Sequence, residues 1–137
     1  MRKELEDKLI EKYPEIFCQK SLPMSQTAMC WGIETGNGWF GLISALCSCI
    51  DNHVKNRPAL AVEAVQVKEK YGGLRFYING GDDFVEGLIE MAETMSYRIC
   101  DVCGAPGKRS GRGWITTRCD KHFGALGRLN HDGAENE

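Results

Sequence analysis

At 137 residues, 42% hydrophobic and 26% charged, the chain has room for one ordinary domain and the composition of a soluble globular protein. No apolar run approaches the roughly 18–20 residues that span a bilayer, and MRKELEDKLIEKYPEIF lacks the apolar core of a signal peptide, so a cytoplasmic protein without membrane contact is expected. The formal charge of −2 hides an asymmetry: residues 1–99 carry a net −3, residues 100–131 a net +4 and the tail 132–137 a net −3.

RKELEDKLIEKY reads as a first helix with Leu5, Leu9 and Ile10 as a narrow apolar stripe. Pro14 ends or restarts it, since the residue before a proline resists the α region. CQKSLPMSQTAMCWGIETGNG is a loop-rich link that closes on the turn residues ETGNG. WFGLISALCSCIDNHVKNR predicts a second helix: Ile43, Leu46 or Cys47, Ile50 and Val54 recur at three- and four-residue steps, and Pro58 closes it. The period then changes. ALAVEAVQVKEKYGGLRFYING reads as two strands around a KEKYGG turn, with Leu74, Phe76 and Ile78 on one face and Arg75, Tyr77 and Asn79 on the other. KYGG lacks the spacing and terminal Lys-Ser/Thr of a phosphate loop and is a hairpin turn. GGDDFVEGLIEMAETMSYRI predicts a third helix, opened by Asp83 and Glu86 at capping-box spacing and burying Val85, Leu88, Ala92 and Met95.

The C-terminal part carries the chemistry. Seven cysteines, an odd number, argue against a disulfide framework in a reducing compartment. Cys100-x-x-Cys103 is followed after fifteen residues by Cys119-x-x-His122. Two residues between ligands let a tight turn aim both side chains at one point, and two such pairs supply the four corners of a tetrahedron. Thiolate and imidazole suit zinc. Gly104 stands where that turn needs positive φ. GKRSGRGWITTR then reads as a hairpin with SGRG at its tip and Trp114 and Thr116 alternating in the returning strand. Cys119 and His122 fall at the start of CDKHFGALGRLN, one helical turn apart. Knuckle, hairpin and helix start make a treble clef. His131 is an alternative fourth ligand, but this register favours His122.

Four protein ligands leave no open position, so the zinc is expected to be structural rather than catalytic. The deaminase signature and His-Glu-x-x-His are both absent. Asp82 and Asp83 are expected to be helix caps, and the chain is not expected to be an enzyme. Cys47 is expected in the core; Cys18 and Cys30 have no partner at useful spacing, and Cys49 points away from Cys47. His53 is expected on the solvated side of the second helix. Lys108, Arg109, Arg112, Arg118 and Lys121 make a basic surface on the zinc element, a candidate contact for nucleic acid or another partner. Arg75 and Tyr77, sharing a strand face, are candidates for holding a small anionic ligand such as a signalling nucleotide.

QVKEKYGGLRFYINGGDD, a following helix and CDVCGAPG…RGWITTRCDKH, with GNGWFGLISALC upstream, resemble a widespread family of small phage- and prophage-encoded proteins. The resemblance runs from roughly residue 13 to 123. It implies an accessory protein acting in the bacterial host's cytoplasm, of compact α+β architecture with a C-terminal zinc element, and it carries over no catalytic residue. The expected fold is α+β: a small antiparallel hairpin or sheet packed by about three helices. The expected parts are a core over 1–99, a treble-clef zinc element over 100–131 and a disordered tail over 132–137. The expected function is binding and blocking of a host protein as an anti-defence device. Nucleic-acid binding through the basic zinc hairpin comes second, and capture of a signalling nucleotide third.

Overall fold

The computed structural model describes residues 1–123. In chain order its elements are α1 (Lys3–Lys12), β1 (Ile33–Glu34), α2 (Phe40–Val54), β2 (Val62–Lys70), β3 (Gly73–Gly80), α3 (Asp83–Ser96), β4 (Lys108–Ser110) and β5 (Thr116–Arg118). A further helix begins at Asp120. The fold is α+β, as the change of period at residue 59 implies. His131 and the tail 132–137 lie outside the described residues.

β2 and β3 form the expected antiparallel hairpin. They meet in the two-residue turn Tyr71-Gly72, with φ of 53° and 82°, the mirror-image turn whose twist matches paired strands. A bulge between Ala64 and Gln66 puts one extra residue into β2. Val62 and Ala64 therefore face the core before it and Val67 after it, which breaks the period-2 pattern in the sequence. Thr27 Oγ1 donates to the carbonyl of the bulged Val65 at 3.4 Å.

The segment read as a loop-rich link does more than connect. It supplies β1, which runs parallel to β2 and pairs Ile33 with Val67 and Glu34 with Lys68. Two residues cannot display a strand period, so pairing alone reveals the strand. Glu6 of α1 holds it by accepting the Ile33 amide at 2.7 Å. Of the α1 stripe, Leu9 is buried, while Leu5 and Ile10 are half-buried.

One apolar cluster joins the sheet to the helices. In α2 the three- and four-residue steps bury Ile43, Leu46, Cys47 and Ile50, so both residues of the Leu46/Cys47 alternative are inside. Each fully buried Ile contributes about 1.5–3 kcal/mol. Trp39, just before α2, is fully buried and donates its indole N–H to the Ile99 carbonyl at 2.8 Å.

Three expectations in this region are corrected. In α3 Val85 and Ala92 are buried, but Met95 is 42% exposed and Ser96 takes the inward position. Ser96 Oγ accepts the Leu74 amide of β3 at 2.9 Å, so the last turn of α3 faces the sheet with a polar side chain. Of the two aspartates expected as caps, Asp82 is the cap, its Oδ1 accepting the Val85 amide at 3.0 Å, whereas Asp83 is the first residue of the helix and not its cap. His53 is not solvated. Its Nε2 lies 2.8 Å from Asp82 Oδ2 and its ring stacks on Phe84 at 4.2 Å, because the start of α3 packs on the end of α2.

Candidate metal centre

Cys100 leaves α3 through a short turn and is fully buried. Gly104 N–H donates to the Cys100 carbonyl at 2.9 Å, and Gly104 has φ of 82°, as the knuckle requires. β4 and β5 then pair antiparallel, Lys108 with Arg118 and Ser110 with Thr116. Trp114 lies in the loop between them rather than in the returning strand, which starts at Thr116. Cys119 precedes the next helix, and its carbonyl accepts the Phe123 amide at 2.7 Å. That bond is the first i→i−4 link, so Cys119 stands at the helix start and His122 one turn on.

These turns bring Cys100, Cys103, Cys119 and His122 together, with every ligand atom within 4.8 Å of the others. Cys103 Sγ and Cys119 Sγ are 3.8 Å apart. His122 Nδ1 lies 3.3 Å from Cys119 Sγ and 3.7 Å from Cys100 Sγ. A tetrahedral ion with metal–sulfur bonds of about 2.3 Å has sulfur–sulfur edges of about 3.8 Å. The four side chains therefore can hold one metal ion, and the set contains no spare ligand position.

Backbone amides shape the charge of this cluster. Burial of the Cys100 sulfur opposes ionisation, but the amides of Cys119, Cys103 and Val102 outweigh it and bring the thiol down to about 6. At Cys103 the Ala105 amide favours the thiolate. Burial and the neighbouring Cys119 and Cys100 sulfurs outweigh that amide and hold the thiol above its usual value. Crowded sulfurs resist ionising together unless a cation lies between them.

The finger is fastened to the core by polar contacts. Gly38 N–H donates to the Asp101 carbonyl at 2.9 Å. A Cβ at Gly38 would stand 2.1 Å from the Cys100 carbonyl oxygen and 2.5 Å from the Gly104 nitrogen. Only glycine permits that approach. On the other side Thr117 Oγ1 donates to the Gly72 carbonyl at 2.6 Å, and Arg109 Nε to the Tyr71 carbonyl at 2.8 Å. The strained β2–β3 turn is thus a seat for the finger.

The basic side chains separate into two groups. Arg109 also lies over the Tyr97 ring at 4.5 Å, and Arg118 Nε donates to the nearly buried Asp101 at 3.1 Å. These two arginines hold the fold. Lys108, Arg112 and Lys121 are exposed. Arg75 is also engaged, with Glu93 at 2.9 Å and Tyr97 at 3.1 Å. Tyr77 instead lines an open, uncharged groove with Gln19, Gln26, Gln66 and Asn79, and Arg75 is not among the residues that line it.

Gly38, Trp39, Asp101 and Thr117 hold the finger in place, and none stood out in the sequence as a site residue. The signals were GNGW before α2 and an acid directly after the first ligand. No protein-family model matches the chain, and no curated protein or solved structure matches it. Among the described residues no helix is long and apolar enough to cross a membrane.

Proposed function

We propose that the chain is a non-enzymatic, zinc-clamped binding protein whose target is another protein, a host factor that it blocks. The observation that carries this reading is an apolar groove of about 380 Å³ between α2 and α3, lined by Leu42, Leu46, Leu88, Met91, Ala92 and Met95. Met91 is 63% and Met95 42% exposed, and no charged side chain lines the groove. Flexible methionines over an apolar floor suit an amphipathic helix of a partner. The motif resemblance to phage and prophage proteins supports a bacterial host cytoplasm as the setting and an anti-defence role as the purpose.

Zinc is the proposed metal because three sulfurs and an imidazole at tetrahedral spacing favour it over harder ions. When bound it supplies folding energy to a segment that, among its described residues, buries no large apolar side chain. Metal analysis of protein purified without chelator is expected to give about one zinc per chain; less than about 0.5 would overturn the assignment. The partner reading is tested by affinity capture from bacterial lysate. A specific partner is retained by Trp114→Ala and lost with Met91→Glu at unchanged metal content. Capture indifferent to Met91→Glu rejects the groove.

A further inference from the structure

Among the described residues of the finger, three cations are not used by folding: Arg112 at the tip of the hairpin, Lys108 at its base and Lys121 in the helix that follows. Arg109 and Arg118 are spent on Tyr71, Tyr97 and Asp101. Lys108, Arg112 and Lys121 are exposed and make no hydrogen bond or ion pair among the described residues. Between Asp101 and Asp120 the chain has no carboxylate at all. In the middle of this span Trp114 is 68% exposed, whereas Trp39 of the core is fully buried. A tryptophan held in water contributes little to folding, and its indole face is free to stack.

Register decides which side of the hairpin Lys108 belongs to. Arg109 pairs with Thr117, and both reach the Tyr71-Gly72 turn, so that side of the hairpin is the docked one. Lys108 and Ser110 alternate with Arg109 and belong to the opposite side. The metal cluster holds both ends of the hairpin, since Cys103 precedes β4 and Cys119 follows β5. The loop 111–115 therefore projects from a base that the ligands bring together, with its single cation, Arg112, and the Trp114 indole exposed.

We propose that this tip, Trp114 with Arg112, backed by Lys108 at the base of the hairpin and Lys121 in the helix beyond it, is a contact site for single-stranded nucleic acid. A base stacks on Trp114 while the cations neutralise adjacent phosphates. A duplex fits less well, for two reasons. Its bases are already stacked on one another and offer no free face. Its denser phosphates would also meet the net −3 of residues 1–99. The site is separate from the α2–α3 groove and does not depend on the protein-partner reading.

The test is fluorescence anisotropy of the full, metal-loaded chain against a labelled 12-nucleotide mixed-sequence oligonucleotide, as DNA and as RNA, across a salt series. Binding is expected at low salt. Trp114→Ala is expected to weaken it roughly ten-fold with metal content and melting temperature unchanged. Arg112→Gln should reduce the slope of log K against log salt by about 0.7, the value for one lost single-strand phosphate contact. Met91→Glu should leave binding intact, which separates this site from the groove. No binding at 100 μM protein at low salt would overturn the proposal. So would equal binding by Trp114→Ala, tighter binding of the matching duplex, or equal binding of an acidic peptide, which would reveal charge attraction without base stacking.

Discussion

Residues 1–99 bury Trp39, Phe17, Met29, Ile43 and Ile50 at 1% exposure or less, whereas residues 100–123 bury Cys100, Asp101, Thr116 and Thr117 and no large apolar side chain. The core can be ordered by removing hydrocarbon from water. The finger cannot, because its described residues have too little apolar surface to offset the entropy of ordering them. It has instead four side chains placed to hold a metal ion, a short hairpin and polar contacts to the core. Two regions of one chain thus differ in kind: one is ordered by burial from water, and the other is built for the proposed metal ion.

The comparison is broken most directly at the ligands. Cys103→Ser, or removal of the metal by a chelator, is expected to cost the finger more than about 4 kcal/mol. Hydrogen exchange should show amides of 100–123 losing protection while those of α2 and β3 keep theirs. Equal loss across both regions would mean that the two are one cooperative unit. Trp39→Ala comes next, at about 3–5 kcal/mol. It removes the largest buried side chain and the bond to the Ile99 carbonyl, so chemical denaturation should show both regions weakened.

Gly38→Ala sharpens the comparison further. The new methyl collides with the backbone of Cys100 and Gly104, which cannot swing aside as a side chain would. A loss of about 1–3 kcal/mol is expected, with one metal still bound, because the ligands themselves are untouched. Loss of the metal as well would show that docking and coordination are inseparable.

The smallest expected effect separates the regions by pH. The His53 hydrogen bond and then the Val85 amide hold the Asp82 carboxyl below its usual 3.8. Its folded value is the lower one, so its contribution is present above 3.8 and disappears as pH falls through the folded value. The metal leaves at a higher pH, because protons compete for thiolates. Acid titration should therefore release the metal first and weaken the start of α3 afterwards. Asp82→Ala should lower the melting temperature slightly at pH 7 and lose that effect only as pH falls well below 3.8.

Much of this was legible in the residues because the signals are local. A three- and four-residue period marks α2 through Ile43, Leu46, Cys47 and Ile50, and alternation marks β3 through Leu74 and Phe76. Ligand spacing marks the metal site, since a CxxC turn closes on itself without help from the rest of the fold. Signals that depend on a partner were not legible. β1 is two residues defined only by β2, and the bulge at Val65 turns Val67 inward against the alternation. Met95 and Ser96 exchange roles because β3 needs a hydrogen-bond acceptor at the end of α3.

The sequence by itself determined the class of fold, the two long helices, the hairpin and the four ligands, because each follows from spacing along one short segment. Only the tertiary structure decided which cations are free. Lys108, Arg109, Arg112, Arg118 and Lys121 look alike as a string, yet Tyr71, Tyr97 and Asp101 engage two of them and leave the others in water. Charge is a property of the residue, but its availability is a property of what folds against it.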